Sequence, residues 1–223
     1  MPDKRAHRGA HPQDARLFRE ELHPRLRRAV EELSWLLSRG YSEVAARTLV
    51  GDHHQLQKRQ RKALGRMACS DQSLHLRREK LVPVQGAQVI VDGFNQLVGV
   101  EALLGGAVLL RGRDGVIRDL ASVHGTWRRV AETRRALELL AEQLEPAASV
   151  RWLFDAPVSN SGRAAAMVRE LGMEAEVVGD VDRALIESGL AVASSDGPVL
   201  DRSAARVDLL NPLVAQLTAR VVE

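Results

Sequence analysis

Several aspartates stand where apolar runs end, and together they could hold a divalent cation. They occupy five positions: Asp92, Asp155, Asp180, Asp182 and Asp196. An apolar run that stops at a turn signal predicts a buried strand, and the carboxyl ends of parallel strands meet at one edge of a sheet. Carboxylates crowded there repel one another unless a cation neutralises them, and their hard oxygens select Mg²⁺ or Mn²⁺ rather than zinc. Each aspartate taken singly is better explained as a turn former or helix N-cap, but the set predicts a metal site.

Two further groups of side chains could receive phosphate. Ser159, Ser161 and Arg163 follow Asp155 and open a predicted helix, so amide groups and a guanidinium could meet an anion there. An ordinary Ser/Asn helix cap explains the same residues. Lys58, Lys62 and Arg66 recur at every fourth position of another predicted helix. Such a cationic face could lie along a nucleic-acid backbone, or it could simply be a solvated surface.

The elements that must position these groups alternate between strand and helix. Apolar runs at 88–91, 150–154, 174–178 and 190–193 predict strands, and the segments between them include helical patterns. A long helix is predicted from Thr126 to about Leu144. Alternation of this kind predicts an α/β fold with a mostly parallel sheet and helices on both faces. Apolar runs at 107–110 and 116–120 flank an Asp-Gly turn and predict a hairpin or loop.

The chain before this region has a different character. Residues 1–13 are polar and charged and predict a disordered tail, residues 14–82 predict a small all-α basic domain, and residues 83–223 hold the α/β pattern. Asp52 is predicted to begin the basic helix, with Gln55 completing a capping box, and residues 70–86 resemble a linker. Residues 1–85 carry 18 Lys and Arg against 10 Asp and Glu, whereas the remainder carries 14 against 19. The asymmetry favours a nucleic-acid-facing part joined to a metal-holding part, although drift in surface composition produces the same numbers.

Composition limits the class of protein. Hydrophobic residues make up 45% of the chain, which suffices for a core, and aromatic residues only 3%, which favours helices and parallel strands. No apolar run approaches the ~20 residues needed to cross a bilayer, and the polar start predicts no export signal. The single cysteine, Cys69, excludes an intramolecular disulfide and a cysteine-rich zinc site. These features predict a cytoplasmic protein. The adjacent His53 and His54 should point in different directions on a helix, so a shared metal is not expected there.

The ordered motifs resemble the PIN-like nuclease superfamily, including its NYN and flap-nuclease-like branches. Val-Ile-Val-Asp92-Gly-Phe-Asn95 resembles the first-strand DxxN motif, and Leu-Phe-Asp155 resembles the FD that ends a middle strand. Asp180-Val-Asp182-Arg-Ala-Leu-Ile and Ala-Ser-Ser-Asp196-Gly resemble the two later motifs. The chain as a whole resembles a bacterial and archaeal family that joins a helical DUF434 domain to a PIN-like domain.

This resemblance implies a Rossmann-like PIN-type sheet and Mg²⁺- or Mn²⁺-dependent hydrolysis of a phosphodiester, usually in RNA. Asp92, Asp155, Asp182 and Asp196 would bind the metal, with Asp180 as a second candidate at its site. Asn95 would orient Asp92 or contact substrate. Glu132 stands about where PIN domains place a helical glutamate, although it could equally be a solvated helix residue.

Two departures from the family pattern leave a second hypothesis open. The late aspartate is followed by Gly197-Pro198 where an aromatic residue is usual, and the segment 107–120 is not a standard PIN element. One hypothesis is therefore a metal-dependent nuclease to which the basic helices present RNA. The other is a nucleic-acid-binding or protein-interaction module on a PIN-like scaffold that no longer cleaves. Only the first requires a bound metal.

Overall fold

The computed structural model describes residues 7–121, 125–217 and 219–223. Its helices and strands, numbered in chain order, are α1 (Asp14–Leu17), α2 (His23–Ser38), α3 (Glu43–His53), α4 (Lys58–Met67), α5 (Asp71–Glu79), β1 (Gln88–Asp92), α6 (Gly93–Leu104), β2 (Leu109–Arg111), β3 (Ile117–Asp119), α7 (Thr133–Leu144), β4 (Ser149–Asp155), α8 (Ser161–Arg169), β5 (Glu174–Val178), α9 (Val181–Glu187), β6 (Ala191–Ala193), α10 (Gly197–Arg202), β7 (Ala205–Arg206), α11 (Leu210–Leu217) and β8 (Val221–Val222). A 3₁₀ turn, Glu20–Leu22, precedes α2. None of the helices in these ranges combines the length and apolarity that a membrane crossing requires.

A parallel sheet forms the centre of the molecule. Within the described ranges it has five strands in the order β5-β4-β1-β6-β7, and each neighbouring pair is parallel. Val89 and Val91 of β1 belong to one apolar cluster, and Ile90 belongs to a second cluster that contains Val181 and Leu185 of α9. Because both faces of β1 are buried, the strand is a continuous apolar run rather than an alternating one. The predicted α/β class, with a parallel sheet and helices on both faces, is confirmed.

The N-terminal helices pack on a second, smaller sheet. The segment after α6 forms the predicted hairpin, with β2 antiparallel to β3, and β8 pairs in parallel with β2. Leu110 and Val222 of this sheet belong to the same apolar cluster as Leu33 of α2 and Leu64 of α4. The helices and the small sheet therefore bury their apolar faces against each other.

Three predicted boundaries differ from those observed. Asp52 does not begin a helix, because α3 continues through it; α4 begins after Gln57, which forms a capping box with Gln60. The predicted linker at 70–86 contains α5, whose first turn is capped by the Ser70 hydroxyl at 3.1 Å from a backbone nitrogen. The predicted helix from Thr126 begins only at Thr133, because the segment at Thr126 forms a β-bridge to the residues after β4.

Part of the predicted disordered tail packs onto the α/β region. Residues 1–6 lie outside the described residues, but Arg8 is only 7% exposed. Its guanidinium pairs with the fully buried carboxylate of Glu101 on α6 and donates to the Arg128 carbonyl at 3.2 Å. A buried carboxylate requires such a partner, so the expectation of fraying does not hold at Arg8.

Gly93 allows β1 to pass directly into α6, and alanine at this position should destabilise the protein. A Cβ atom on Gly93 would lie 2.5 Å from the Leu153 carbonyl oxygen and 2.6 Å from the Phe154 ring. We expect Gly93→Ala to lower the free energy of unfolding by about 2–3 kcal/mol, measured by chemical denaturation. The control is Gly162→Ala in α8, where a Cβ meets nothing within 4 Å and alanine is the better helix former. Equal losses in the two variants would contradict the close approach at Gly93.

Candidate functional site

Four of the predicted aspartates line one cavity of about 230 Å³ beyond the carboxyl ends of the parallel strands. These are Asp92, Asp155, Asp182 and Asp196. The cavity is completed by residues from the same edge, from the hairpin and from α4: Arg66, Phe94, Asn95, Val98, Asp119, Ala121 and Val158.

The strand order explains how distant parts of the sequence meet here. Asp92 and Asp155 are the last residues of β1 and β4, which pair directly. Asp196 follows β6, the other neighbour of β1, and its side chain caps α10 by accepting from the Val199 nitrogen at 3.2 Å. Asp182 lies in the first turn of α9, which follows β5 and packs against β1 and β4. One aspartate therefore comes from each of four consecutive strand ends.

Burial and mutual repulsion raise the pKa values of Asp92, Asp155 and Asp182. Burial, followed by the charges of Asp155, Asp182 and Asp196, raises the pKa of Asp92 to about 7, against a hydrogen bond of 2.7 Å from the Ser194 hydroxyl that favours ionisation. Burial is also the largest cause of the raised pKa values of Asp155 and Asp182. Carboxyl groups with raised pKa values gain most from a cation that replaces their protons.

Asn95 fixes the turn that carries Asp196. Its side-chain oxygen accepts hydrogen bonds from the backbone nitrogen of Ser195 at 2.8 Å and from the Ser195 hydroxyl at 3.0 Å. The resemblance implies that Asn95 orients Asp92 or contacts substrate; in the structure its oxygen instead links the start of α6 to the turn after β6. Asn95 lines the cavity, so it also borders the space available to a substrate.

Asp180 and Glu132 do not line this cavity. The Asp180 side chain caps α9 by accepting from the Arg183 nitrogen at 3.0 Å, although its charge still raises the pKa of Asp155 and of Asp182. The Glu132 carboxylate lies 2.6 Å from His7 Nδ1 at the start of α7. Asp180 therefore serves as a helix cap, and Glu132 pairs with an exposed histidine.

The polar residues that follow β4 either form hydrogen bonds with nearby backbone groups or face solvent. The Ser161 hydroxyl is buried and donates to the carbonyl oxygens of Asp155 and Val158. Ser159 pairs through its backbone with Trp127, and Arg163 is exposed. None of the three predicted phosphate ligands lines the aspartate cavity. Ser161 instead holds the turn that presents Asp155.

The basic face of α4 packs partly onto the small sheet rather than facing solvent. Lys62 Nζ donates to the Leu120 carbonyl at 3.0 Å, and Arg66 Nη2 donates to the Ala121 carbonyl at 3.2 Å. Burial and the nearby Arg66 charge lower the pKa of Lys62. Lys58 is exposed and lines a separate basic cavity. Arg66 thus reaches the aspartate cavity, whereas Lys58 and Lys62 do not.

Sequence reasoning missed Asp119 and Ser194. Asp119 is 7% exposed, lines the cavity from the end of β3, and lies 3.9 Å from Arg66. Burial raises the pKa of its carboxyl group. Asp119 lies within the run at 116–120 rather than at its end, and that run forms an antiparallel hairpin whose position relative to the main sheet no local pattern gives. Ser194 could have been identified from its position after β6, directly before Ser195 and Asp196.

A second cavity of about 430 Å³ adjoins the aspartate cavity. Arg66, Asn95 and Asp196 line both, so they form the wall between the two spaces. The second cavity adds Arg77 and Arg118, which are already paired with Asp114, and the acidic residues Glu43 and Asp201. Arg66 is therefore the cationic side chain at the wall between the two spaces.

The carboxylate groups of the cavity are more widely spaced than the ligands of a single metal ion. Among the residues described, the one group of three or more Asp, Glu, His or Cys side chains whose ligand atoms all lie within 4.8 Å of one another is on α2 and α3, not in this cavity. A cation held by three of the cavity's aspartates would therefore draw their oxygens closer together by side-chain rotation. The all-oxygen donor set matches Mg²⁺ or Mn²⁺.

Comparison with known proteins gives matches that are described without a function. Residues 82–212 match the model for the Domain of unknown function DUF5616, and residues 25–80 match the Protein of unknown function DUF434. Uncharacterized protein MJ0935 of Methanocaldococcus jannaschii is 31% identical over 160 residues, which cover 70% of this chain and 77% of that protein. No solved structure matches the chain.

Proposed function

We propose that this chain, a member of the DUF5616 family that carries a DUF434 segment before that domain, is a metal-dependent nuclease with a PIN-like catalytic domain. Its substrate in this proposal is RNA, its cofactor is Mg²⁺ or Mn²⁺, and it hydrolyses phosphodiester bonds. The observation that carries the proposal is the cavity at the sheet edge, where four aspartates from four consecutive strand ends converge.

The chemistry assigned to the cavity begins with proton loss. Asp92, whose pKa is raised to about 7, must be ionised before its carboxylate can act as a ligand, and Asp155, Asp182 and Asp196 supply the remaining negative charge. Mg²⁺ or Mn²⁺ held by these four carboxylates would supply polarisation of a phosphoryl oxygen and a lower pKa for an attacking water. Ser194 keeps the Asp92 carboxylate in position through its 2.7 Å hydrogen bond, and Asn95 keeps the turn of Asp196 in place.

We assign substrate approach to the adjoining cavity of about 430 Å³. A phosphodiester chain is attracted by guanidinium groups, and Arg66 lies where the two cavities meet. Arg66 belongs to α4, so the helical region contributes a side chain to the proposed site. The proposed domain division, helices at 14–82 and the α/β region at 83–223, is supported by the boundary between the two family matches at residues 80 and 82.

We expect the purified protein to cleave RNA only when Mn²⁺ or Mg²⁺ is present. Incubation with end-labelled single-stranded and structured RNA should give discrete products with Mn²⁺, and EDTA should abolish them because the carboxylates then lose their cation. Restoring Mn²⁺ in excess of EDTA should restore cleavage.

Two outcomes would count against this function. Cleavage that persists in EDTA would point to a different nuclease in the preparation. RNA binding that falls steeply with salt but gives no product with either cation would instead favour the non-catalytic binding module.

A further inference from the structure

A second set of potential metal ligands lies on the N-terminal helices, far along the sequence from the aspartates. Glu32 on α2, His53 at the end of α3 and His54 directly after it place their ligand atoms within 4.8 Å of one another. His54 Nε2 lies 2.8 Å from a carboxylate oxygen of Glu32. In the part of the chain that the structure describes, this is the one group that meets that criterion.

Two consecutive histidines at the end of α3 bring their ligand atoms together. On a helix their side chains would diverge by about 100°, so the sequence predicts no shared ligand. His53 is the last residue of α3 and His54 is its C-cap, with φ −84° and ψ 6°; their ligand atoms nevertheless lie within 4.8 Å of one another. The two rings lie 4.9 Å apart between centroids and nearly perpendicular, at 86°. The expectation that these histidines point apart is therefore wrong.

We propose that Glu32, His53 and His54 form a Zn²⁺ site that joins α2 to α3. Two imidazole nitrogens and one carboxylate oxygen are typical zinc donors, and three protein ligands leave a fourth position for water. This mixed set differs from the all-oxygen set of the aspartate cavity, which suits harder cations. The chain thus offers two cation sites of different chemistry.

The donors of His54 and Glu32 already lie close to the spacing that zinc requires, and the donor of His53 lies within 4.8 Å of both. Ligands about 2.0–2.1 Å from zinc at tetrahedral angles lie about 3.3 Å apart. The His54 and Glu32 atoms, 2.8 Å apart, therefore need to separate by only about half an ångström. The carboxylate of Glu32 is about half exposed, so its side chain can make this adjustment without disturbing the core.

A cation bound by two helices should stabilise the folded protein, since the unfolded chain does not hold the three donors together. We test this in the Asp92→Asn background, so that binding to the aspartate cavity is weakened. Zn²⁺ should raise Tm by several degrees and bind with one equivalent in calorimetric titration, whereas Mg²⁺ should do neither. Co²⁺ in place of Zn²⁺ should give the visible absorption of a four- or five-coordinate site.

Single substitutions identify the ligands. His53→Ala, His54→Ala and Glu32→Gln should each weaken Zn²⁺ binding at least 10-fold and remove the cobalt absorption, while His75→Ala, an exposed histidine on α5, should change neither. The metal-free Tm of the Glu32→Gln and His53→Ala variants should stay close to that of the parent, because both side chains are exposed. The side chain of His54 is only 11% exposed, so circular dichroism of metal-free His54→Ala shows separately that it is folded. Undiminished binding in the His53→Ala, His54→Ala double variant, or no Zn²⁺ binding by the parent, would overturn the proposal.

Discussion

Substituting Asp92 by asparagine should reduce Mn²⁺-dependent RNA cleavage by more than about 100-fold. Loss of partners that only orient metal ligands already costs ~10–100-fold, and Asp92 is a proposed ligand itself. Asparagine keeps the shape of the side chain and an oxygen that can accept the Ser194 hydrogen bond, but it removes the negative charge. The effect should therefore appear in the rate of product formation with saturating RNA, while the fold is retained.

The control for this experiment is Asp52→Asn. Asp52 is an exposed aspartate that pairs with Arg61 on the helical region, and its substitution makes the same change in net charge. We expect its cleavage rate to match that of the unmodified protein. If Asp92→Asn cleaved as fast as Asp52→Asn, Asp92 would not be part of the reacting site.

The same substitution should make the metal-free protein more stable at alkaline pH. The ordinary pKa of an aspartate is 3.8, whereas that of Asp92 in the folded protein is about 7. Between these values the folded state holds a proton that the unfolded state has lost, so stability falls as pH rises through this interval and then levels off. Asp92→Asn removes that loss, worth about 4 kcal/mol. In EDTA, its Tm should exceed that of the unmodified protein at pH 8 by roughly 10 °C more than at pH 4.

A pH-independent difference in Tm would show that the charge of Asp92 is already compensated in the metal-free protein. Activity and stability are thus expected to move in opposite directions in this variant. Such opposition is typical of a site that concentrates like charges for function.

Asp114→Asn should cause the largest loss of stability. Its carboxylate is 1% exposed and accepts hydrogen bonds from Arg77 at 2.6 Å and from Arg118 at 2.7 and 2.8 Å. Both arginines are themselves only 7% exposed. Asparagine leaves two buried guanidinium groups without their negatively charged partner. Loss of one partner of a buried ion pair typically lowers the free energy of unfolding by about 3–5 kcal/mol. We expect Tm to fall by roughly 10 °C in thermal unfolding followed by circular dichroism.

The comparison variant is Asp71→Asn, which removes an exposed carboxylate that pairs with Arg113 and should leave Tm nearly unchanged. Although burial opposes ionisation of Asp114, Arg118 and Arg77 together lower its pKa to about 2. Its stabilising effect is therefore present above pH 4 and disappears as the pH falls toward 2. Equal Tm values for the two variants would show that the buried arginines find other partners.

The sequence predicted the aspartate site better than its surroundings. Parallel strands buried on both faces give apolar runs with clear ends, so the aspartates at the ends of β1 and β4 could be located from local pattern alone. Their convergence followed from the common direction of the strands. Asp119 could not be located in this way, because the small sheet approaches the site through tertiary packing.

Polar groups that serve local structure were harder to assign. The serines after β4 and the cations of α4 resemble phosphate ligands in sequence, yet Ser161 and Lys62 donate to backbone carbonyls. A donor satisfies a buried carbonyl and a phosphate oxygen equally well, so residue type does not distinguish them. The convergence of His53 and His54 depends on the side-chain conformations of both residues, which spacing along the sequence does not give.

Arg77 of α5 connects the two segments that the family matches distinguish. Arg77 binds Asp114 of the hairpin segment and Asp201 of α10 at the same time, and its carbonyl accepts from Arg206 beside the central sheet. A cut between the DUF434 and DUF5616 segments would separate Arg77 from Asp114 and Asp201. Both carboxylates would then lose their cationic partner. The two segments should therefore be inherited together and unfold in a single cooperative step, so the boundary visible in their sequences does not divide the protein into separately folding parts.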